Sequence, residues 1–215
     1  MAKDKSRGKK QDLRLGIMGG TFNPIHHGHL VMAEEVRNKF GLDKVIFVPT
    51  GNPPHKDSQE LAAAQDRYLM TVLATMTNLY FEVSPLEIER QGVSYTIDTI
   101  KEFKKTYGKS TKIYFITGAD AILSIFTWKN MEDLLESCSF IAATRPGYCL
   151  QELKSKIEAI NPAYLKHIHL VEVPGIAVSS TDVRERIREG KPIKYLMPET
   201  VESYIIKNKL YEDPR

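Results

Sequence analysis

Short apolar runs alternate with amphipathic stretches along the chain from residue 13 onward. This alternation is typical of a parallel β-sheet that is covered by helices on both faces. The predicted strands are Leu13–Met18, Lys44–Pro49, Lys112–Thr117, Phe140–Thr144 and His167–Val173. We therefore expect an α/β fold: a Rossmann-like, doubly wound, mostly parallel sheet in a single domain.

Helices are predicted between the strands and at the end of the chain. The segment His29–Phe40 is followed by Gly41, and the segment Ile97–Tyr107 by Gly108, which are typical helix stops. A last helix is predicted from the first turn at Pro198 to about Asn208, so the C-terminal part is expected to be mainly helical.

Composition narrows the class of protein. The chain has 215 residues, of which 42% are hydrophobic, and a net charge of +3, which favours neither a nucleic-acid partner nor a membrane. Two cysteines, Cys138 and Cys149, are too few for a disulfide framework, and this number suits a protein of the reducing cytoplasm.

Residues 1–12 are lysine-rich and are predicted to be a disordered basic tail, with a nucleic-acid arm as the alternative. Residues 13–215 form the predicted domain. The sequence leaves open whether the chain forms a homo-oligomer.

The segment GGTFNPIHHGHL, residues 19–30, follows the first predicted strand. Glycines let backbone N–H groups approach a phosphate closely, and His26 and His29 stand three residues apart near a helix start. Two imidazoles and a helix N-terminus would suit phosphoryl or nucleotidyl transfer, which needs positioned donors. The alternatives are turn glycines with surface histidines, or a zinc site, although no cysteine stands nearby.

The segment VSSTDVRERIREGKPI, from Val178 onward, is a second candidate for anion binding. Ser179, Ser180 and Thr181 open a predicted helix that stops at Gly190, and Arg184 adds a planar cation in its first turn. Taken alone, the segment is a good helix cap.

Two further loops follow predicted strands. Gly118 and Asp120 come after the strand that begins at Lys112, where an acidic side chain commonly accepts ribose hydroxyls, although Asp120 also suits a helix cap. His55 and Lys56 follow two prolines and are predicted either to aim a cation at phosphates or to belong to a solvated loop.

These motifs resemble those of the HxGH nucleotidyltransferase superfamily, and GGTFNPIHHGH resembles bacterial nicotinate-nucleotide adenylyltransferases in particular. VSSTDVR resembles the ISSTxxR element of the same superfamily. The resemblance implies that His26, His29 and Arg184 act on the ATP phosphates. It places the rest of the ATP site on Gly19, Gly20, Thr21, Phe22, Gly118, Asp120, Ser180 and Thr181, with Arg145 near the adenine.

The two phosphate motifs are shared with phosphopantetheine adenylyltransferases, so other segments must indicate the acceptor. PPHK, RQGVSYTIDT, FITGAD and the single tryptophan, Trp128, resemble the branch that uses nicotinate mononucleotide. This implies that Trp128 stacks on the pyridine ring and that the loop around Thr96 and the backbone at Lys129 receive its carboxylate. Asn23, where the family usually has aspartate, joins His55 and Lys56 on the acceptor side.

The resemblance implies a concrete activity, with ATP and nicotinate mononucleotide as substrates and Mg²⁺ accompanying ATP. Adenylyl transfer would give nicotinate adenine dinucleotide and pyrophosphate, a step of NAD biosynthesis. The alternatives are transfer to nicotinamide mononucleotide or phosphopantetheine, and a nucleotide sensor without catalysis.

Overall fold

A computed structural model describes residues 12–52, 61–90, 92–144 and 149–212 of the chain. The predicted basic tail, residues 1–12, lies outside these ranges except for Asp12. None of the described helices is both long enough and apolar enough to cross a membrane.

Six strands form one sheet in which every pair of neighbours is parallel. Along the sheet the order is β3-β2-β1-β4-β5-β6. The strands are β1 (Arg14–Gly20), β2 (Lys44–Pro49), β3 (Phe81–Val83), β4 (Lys112–Gly118), β5 (Ser139–Thr144) and β6 (Ile168–Glu172). The predicted doubly wound α/β fold is confirmed, with a sheet that is parallel throughout.

Helices connect successive strands and follow the last one. They are α1 (His27–Phe40), α2 (Ala64–Thr75), α3 (Leu86–Glu89), α4 (Thr96–Tyr107), α5 (Ala119–Ile122), α6 (Met131–Ser137), α7 (Leu150–Ile160), α8 (Ser180–Arg188) and α9 (Glu199–Lys207), with 3₁₀ turns at Ser124–Thr127 and Pro162–Lys166. The helical C-terminal part is confirmed, although Pro198 stands at the cap before α9 and not inside its first turn.

The sheet separates two hydrophobic clusters because successive strand residues face opposite sides. In β1, Leu15 and Ile17 belong to the cluster that includes α4, α6 and α7 residues. Met18 belongs to the cluster that includes α1, α8 and α9 residues. The strands β1, β2 and β5 are buried on both faces, which explains why they read as continuous apolar runs, whereas the edge strands β3 and β6 are partly exposed.

The order of the strands places a switch point between β1 and β4. From β1 the chain winds outward through β2 and β3, whereas β4, β5 and β6 extend in the opposite direction. Met18 of β1 pairs with Ile116 of β4, so the strand ends Gly20 and Gly118 lie at the same edge. A crevice at such an edge is where doubly wound sheets bind ligands.

Candidate active site

Two histidines meet at the start of α1, directly after the loop that leaves β1. The rings of His26 and His29 stack with their centroids 3.8 Å apart. The backbone N–H of His26 donates to Nδ1 of His29 over 3.2 Å. Because Nδ1 accepts this hydrogen bond, Nε2 is the ring nitrogen that can donate. His29 thus has one N–H donor directed away from the backbone that holds it.

Three glycines of this motif make room for aromatic and imidazole rings. A Cβ on Gly28 would lie 3.0 Å from the His26 ring, and one on Gly20 would lie 3.0 Å from the Phe22 ring. A Cβ on Gly19 would lie 2.9 Å from Phe115. A neighbouring ring fills the space beside each of these glycines, and the predicted approach of the Gly19 and Gly20 backbone to a phosphate stays a prediction.

The second motif is bonded to the first loop. The side chain of Ser179 caps α8 by accepting from the N–H of Asp182 over 3.0 Å. The hydroxyl of Ser180 donates to the carbonyl of Pro24 over 2.8 Å, and Arg184 Nη1 donates to the carbonyl of Asn23 over 2.9 Å. These two hydrogen bonds join positions more than 150 residues apart and hold α8 against the loop that leads from β1 to His26.

Arg184 differs from its predicted placement. It is the fifth residue of α8 and therefore lies beyond the first turn. Its side chain is only 8% exposed, whereas Thr181 of the first turn is exposed. A guanidinium so buried contributes its charge at short range, and it also holds the backbone of the first loop.

A cavity of about 230 Å³ opens beside the two histidines. His26, Gly28, His29, Ser179 and Ser180 line it. The segment from Val173 to Ile176, which sequence reasoning did not select, also lines it. The sequence contained a reason to predict this segment as part of the site, because it directly follows the last strand and thus lies at the edge of the sheet where ligands bind.

Among the residues predicted for the acceptor, Trp128 and Lys129 follow the 3₁₀ turn Ser124–Thr127, and Thr96 begins α4. The Trp128 ring meets Phe115 edge-on at 5.8 Å and Phe140 at 6.4 Å between centroids, and it remains partly exposed. Lys129 Nζ lies 4.2 Å from the centre of the Tyr95 ring, and Thr96 is the first residue of α4. The structure therefore brings Trp128, Lys129 and the beginning of α4 into one neighbourhood.

Some predicted residues lie outside the described part of the chain. These are His55, Lys56 and Arg145. Gly118 is the cap residue before α5, and Asp120 lies in that helix, although its side chain is not among those described. Among the described residues, no group of three or more His, Cys, Asp or Glu side chains is placed to hold a metal ion.

Known proteins share the fold of this chain and show which family it belongs to. Residues 17–186 match the Cytidylyltransferase-like family. A protein of Plasmodium falciparum, solved as nicotinic acid mononucleotide adenylyltransferase complexed with NaAD, superimposes with a TM-score of 0.73 over 93% of this chain and 97% of its own, at 22% identity. That likeness establishes the fold alone.

Two bacterial relatives are much closer in sequence. The "Probable nicotinate-nucleotide adenylyltransferase" of Thermoanaerobacter sp. (strain X514) is 59% identical over 203 residues, covering 94% of this chain and 96% of the relative. The protein of the same name from Moorella thermoacetica is 57% identical over 198 residues, covering 92% and 91%. The chain belongs to the nicotinate-nucleotide adenylyltransferase family.

In this family member, Asn23 has a structural role that its sequence position did not reveal. Its side chain is 3% exposed, and its Oδ1 accepts from the backbone N–H of Ala62 over 3.0 Å and from the hydroxyl of Tyr211 over 2.9 Å. Burial raises the pKa of Tyr211, so this hydroxyl keeps its proton and remains a donor. The predicted contact of Asn23 with the acceptor stays a prediction.

Sequence reasoning also missed two buried ionisable side chains of this adenylyltransferase near the edge of the sheet. Arg67 of α2 donates to backbone carbonyls of both loops that leave β1 and β2. Burial raises the pKa of Glu87, which accepts from the hydroxyl of Thr99 of α4 over 2.7 Å. Neither residue belongs to a motif, so only the three-dimensional structure identifies them.

Proposed function

We propose that this chain transfers the adenylyl group of ATP to nicotinate mononucleotide, producing nicotinate adenine dinucleotide and pyrophosphate for NAD biosynthesis. One observation carries this proposal: the histidine motif and the helix α8 motif, far apart in sequence, form a single site. The bonds from Ser180 to Pro24 and from Arg184 to Asn23 hold them together, beside a cavity at the carboxyl edge of the sheet. The names of the bacterial relatives support the acceptor.

The chemistry is an in-line displacement at the α-phosphorus of ATP. A 5′-phosphate oxygen of the mononucleotide forms a bond to the α-phosphorus while the bond from this atom to the bridging oxygen of the β-phosphate breaks. Pyrophosphate leaves with the electron pair, so no covalent enzyme intermediate is required. The protein therefore contributes positioning and charge stabilisation more than covalent chemistry.

The residues of the two motifs take distinct parts in this step. His29 offers its Nε2–H to the phosphate oxygens, because its Nδ1 is held by the backbone of His26. His26 stacks on His29 and fixes the orientation of that ring. Arg184 supplies a positive charge close to the first loop, and Ser180 and Thr181 open α8, whose N-terminal amides favour an anion. The end of β1 at Gly19 and Gly20, together with Thr21 and Phe22, supplies the neighbouring backbone.

The acceptor side of the site lies near Trp128. Its partly exposed ring offers a face for the pyridine ring, while its edges pack on Phe115 and Phe140. The start of α4 at Thr96 and the Lys129 side chain over Tyr95 place amides and a positive charge nearby. Such a neighbourhood favours the anionic nicotinate over the uncharged nicotinamide.

Mg²⁺ enters as part of the ATP substrate in this proposal. It prefers phosphate oxygens and water, with few protein carboxylates. When bound, the ion would neutralise charge on the phosphates that leave as pyrophosphate.

The test is product identification with a matched control. Purified protein is mixed with ATP, Mg²⁺ and nicotinate mononucleotide, and the products are resolved by mass spectrometry and a pyrophosphate assay. We expect nicotinate adenine dinucleotide and pyrophosphate in equal amounts. A double variant, His26→Ala with His29→Ala, prepared identically, should show almost none. ADP or AMP without dinucleotide, or equal activity of the double variant, would refute the proposal.

A further inference from the structure

The segment that follows α9 turns back through two unusual backbone conformations. Lys209 has a φ of 50° and Tyr211 a φ of 68°, in the left-handed region that residues other than glycine rarely adopt. The backbone N–H of Leu210 donates to the carbonyl of Ile205 in the last turn of α9 over 3.1 Å. Such conformations persist only where surrounding contacts hold them, and Tyr211 makes contacts of this kind.

The Tyr211 side chain reaches the first loop, residues 21–26, which leads from β1 to the two histidines. Its hydroxyl donates over 2.9 Å to Oδ1 of the buried Asn23, an atom that also accepts from the N–H of Ala62. Its ring packs against the hydrophobic cluster that includes α1, α8 and α9 residues. Burial raises the pKa of Tyr211, and the nearby Arg184 guanidinium lowers it in part. The hydroxyl is therefore a protonated donor that lies close to the arginine of the phosphate site.

Asn23 is also held by α8. Its backbone carbonyl accepts from Arg184 Nη1 over 2.9 Å, and the carbonyl of Pro24 accepts from the Ser180 hydroxyl over 2.8 Å. The side chain of Asn23 is thus bonded to Tyr211, and its main chain is bonded to the helix of the second motif. Asn23 therefore joins the segment after α9 to the proposed phosphate site.

Only two residues separate Asn23 from His26, and both are restricted. Pro24 has a fixed φ because of its ring, and Ile25 is fully buried. The backbone N–H of His26 then donates to Nδ1 of His29 over 3.2 Å and orients that ring. The position of Asn23 is therefore transmitted to the two histidines over a short and rigid stretch of chain.

We propose that Tyr211 is a positioning residue for adenylyl transfer, which acts through Asn23 to fix the loop that orients His26 and His29 towards the ATP phosphates. This inference rests on the proposed function. Tyr211 need not touch a substrate, because its hydroxyl is engaged by Asn23. Its contribution is to hold the donor of His29 in place before charge develops on a phosphate oxygen.

Tyr211→Phe removes the hydroxyl and keeps the ring that packs against the hydrophobic cluster. We expect kcat to fall by about three- to tenfold, the size of one hydrogen bond, because the first loop loses one of its anchors. KM for ATP and KM for nicotinate mononucleotide should each stay within about twofold, since the groups proposed to contact the substrates remain. Steady-state kinetics, with a thermal melt of each protein, provide the measurement.

Tyr204→Phe is the matched control. Tyr204 lies in α9, and its hydroxyl donates to Oδ1 of Asp66 in α2 over 2.8 Å, so this variant also loses one hydrogen bond of a tyrosine in the same region. That bond does not involve the first loop, so kcat should stay within about twofold of the wild type. Unchanged kcat in Tyr211→Phe, or an equal loss in both variants, would overturn the positioning role.

A double-mutant cycle with His29→Ala shows whether Tyr211 acts through that ring. If it does, adding Tyr211→Phe to His29→Ala should lower kcat by less than about twofold further. The same loss of kcat in both backgrounds would mean that the hydroxyl supports the fold in general, and it would overturn the proposal.

A measurement without substrates tests the same connection. In NMR spectra of isotope-labelled histidine rings, Tyr211→Phe should shift the resonances of His26 and His29, whereas Tyr204→Phe should leave them in place. Unchanged ring resonances in a folded Tyr211→Phe variant would overturn the positioning role, whichever substrate the protein uses. A wild type that forms no dinucleotide from ATP and nicotinate mononucleotide would instead refute the proposed function.

Discussion

The imidazole rings of His26 and His29 are stacked with their centroids 3.8 Å apart, and the backbone N–H of His26 donates to Nδ1 of His29. His26 is the cap residue before α1 and His29 lies in its first turn, so their spacing of three residues places both rings on the same side. Because Nδ1 accepts this hydrogen bond, Nε2 is the ring nitrogen of His29 that can donate, and the ring is oriented by its neighbour. A preorganised donor of this kind requires no rearrangement when charge develops on a phosphate oxygen.

Replacing His29 by alanine should lower kcat by about 10²- to 10³-fold, the usual effect of losing one preorganised donor in a transition state. The structural change should be small because His29 is partly exposed. Steady-state kinetics with ATP and nicotinate mononucleotide, together with a thermal melt of each protein, provide the measurement.

His27→Ala is the matched control for this substitution. His27 stands between the two proposed catalytic histidines, and its backbone N–H donates to the carbonyl of Leu196 over 3.1 Å, a bond that alanine retains. The control should keep kcat within about threefold, since no preorganised donor is lost. Near-normal kcat in His29→Ala, or an equal loss in both variants, would remove His29 from the mechanism.

Trp128→Phe should raise KM for nicotinate mononucleotide by about three- to tenfold and leave KM for ATP nearly unchanged, because the smaller ring offers less surface for stacking. Initial rates at varied concentrations of each substrate give both constants. Phe126→Leu is the control, since Phe126 stacks instead on Tyr164 at 5.4 Å. If both KM values rise together in Trp128→Phe, the ring serves packing against Phe115 and not the acceptor.

Stability at alkaline pH should depend on Cys138. Burial raises the pKa of its thiol from 9.0 to about 12. A folded pKa above the unfolded value stabilises the fold fully below pH 9, and this contribution is lost as the pH rises from 9 towards 12. By pH 11 the wild type should lose roughly 2 to 3 kcal/mol from this group. Urea unfolding at several pH values measures the loss.

Cys138→Ala should flatten this dependence, whereas Cys149→Ala should keep it, because Cys149 is exposed. The alanine variant loses some stability at neutral pH through the missing sulfur, so the comparison concerns the change with pH and not the absolute value. Parallel curves for Cys138→Ala and the wild type between pH 9 and 11 would show that the thiol does not titrate as described.

Ser179→Ala should lower the free energy of unfolding by about 1 kcal/mol, the usual contribution of an N-cap. The side chain of Ser179 accepts from the N–H of Asp182, and alanine leaves that amide without its partner. Chemical denaturation gives the value, and Ser179→Asp, which can also accept at this position, should recover most of the loss. Equal instability of the two variants would show that capping is not the cause.

Much of the fold followed from the sequence because strands buried on both faces form apolar runs. β2 was predicted with the bounds that the structure has, and helix stops at Gly41 and Gly108 lie directly after α1 and α4. β3 was missed because it has only three residues and pairs with β2 alone. So short an edge strand depends on its neighbour more than on its own residue pattern.

The sequence predicted those site residues that belong to a motif. It did not predict the residues that act through contacts formed only in the folded structure. His26, His29 and Ser180 stand in motifs, and the structure brings them to one cavity. Arg67 and Tyr211 act through backbone carbonyls and the Asn23 side chain, which come together only after folding. No periodicity or spacing along the chain indicates which carbonyls a buried arginine will find.

A comparison of acceptor substrates tests the proposed reaction. With ATP and Mg²⁺ held constant, pyrophosphate release is measured with nicotinate mononucleotide, nicotinamide mononucleotide or phosphopantetheine as the second substrate. We expect kcat/KM for nicotinate mononucleotide to exceed that for each of the others by about tenfold or more, since only this acceptor offers a carboxylate to the start of α4. A higher kcat/KM with either other acceptor, or no pyrophosphate with any of the three, would contradict it.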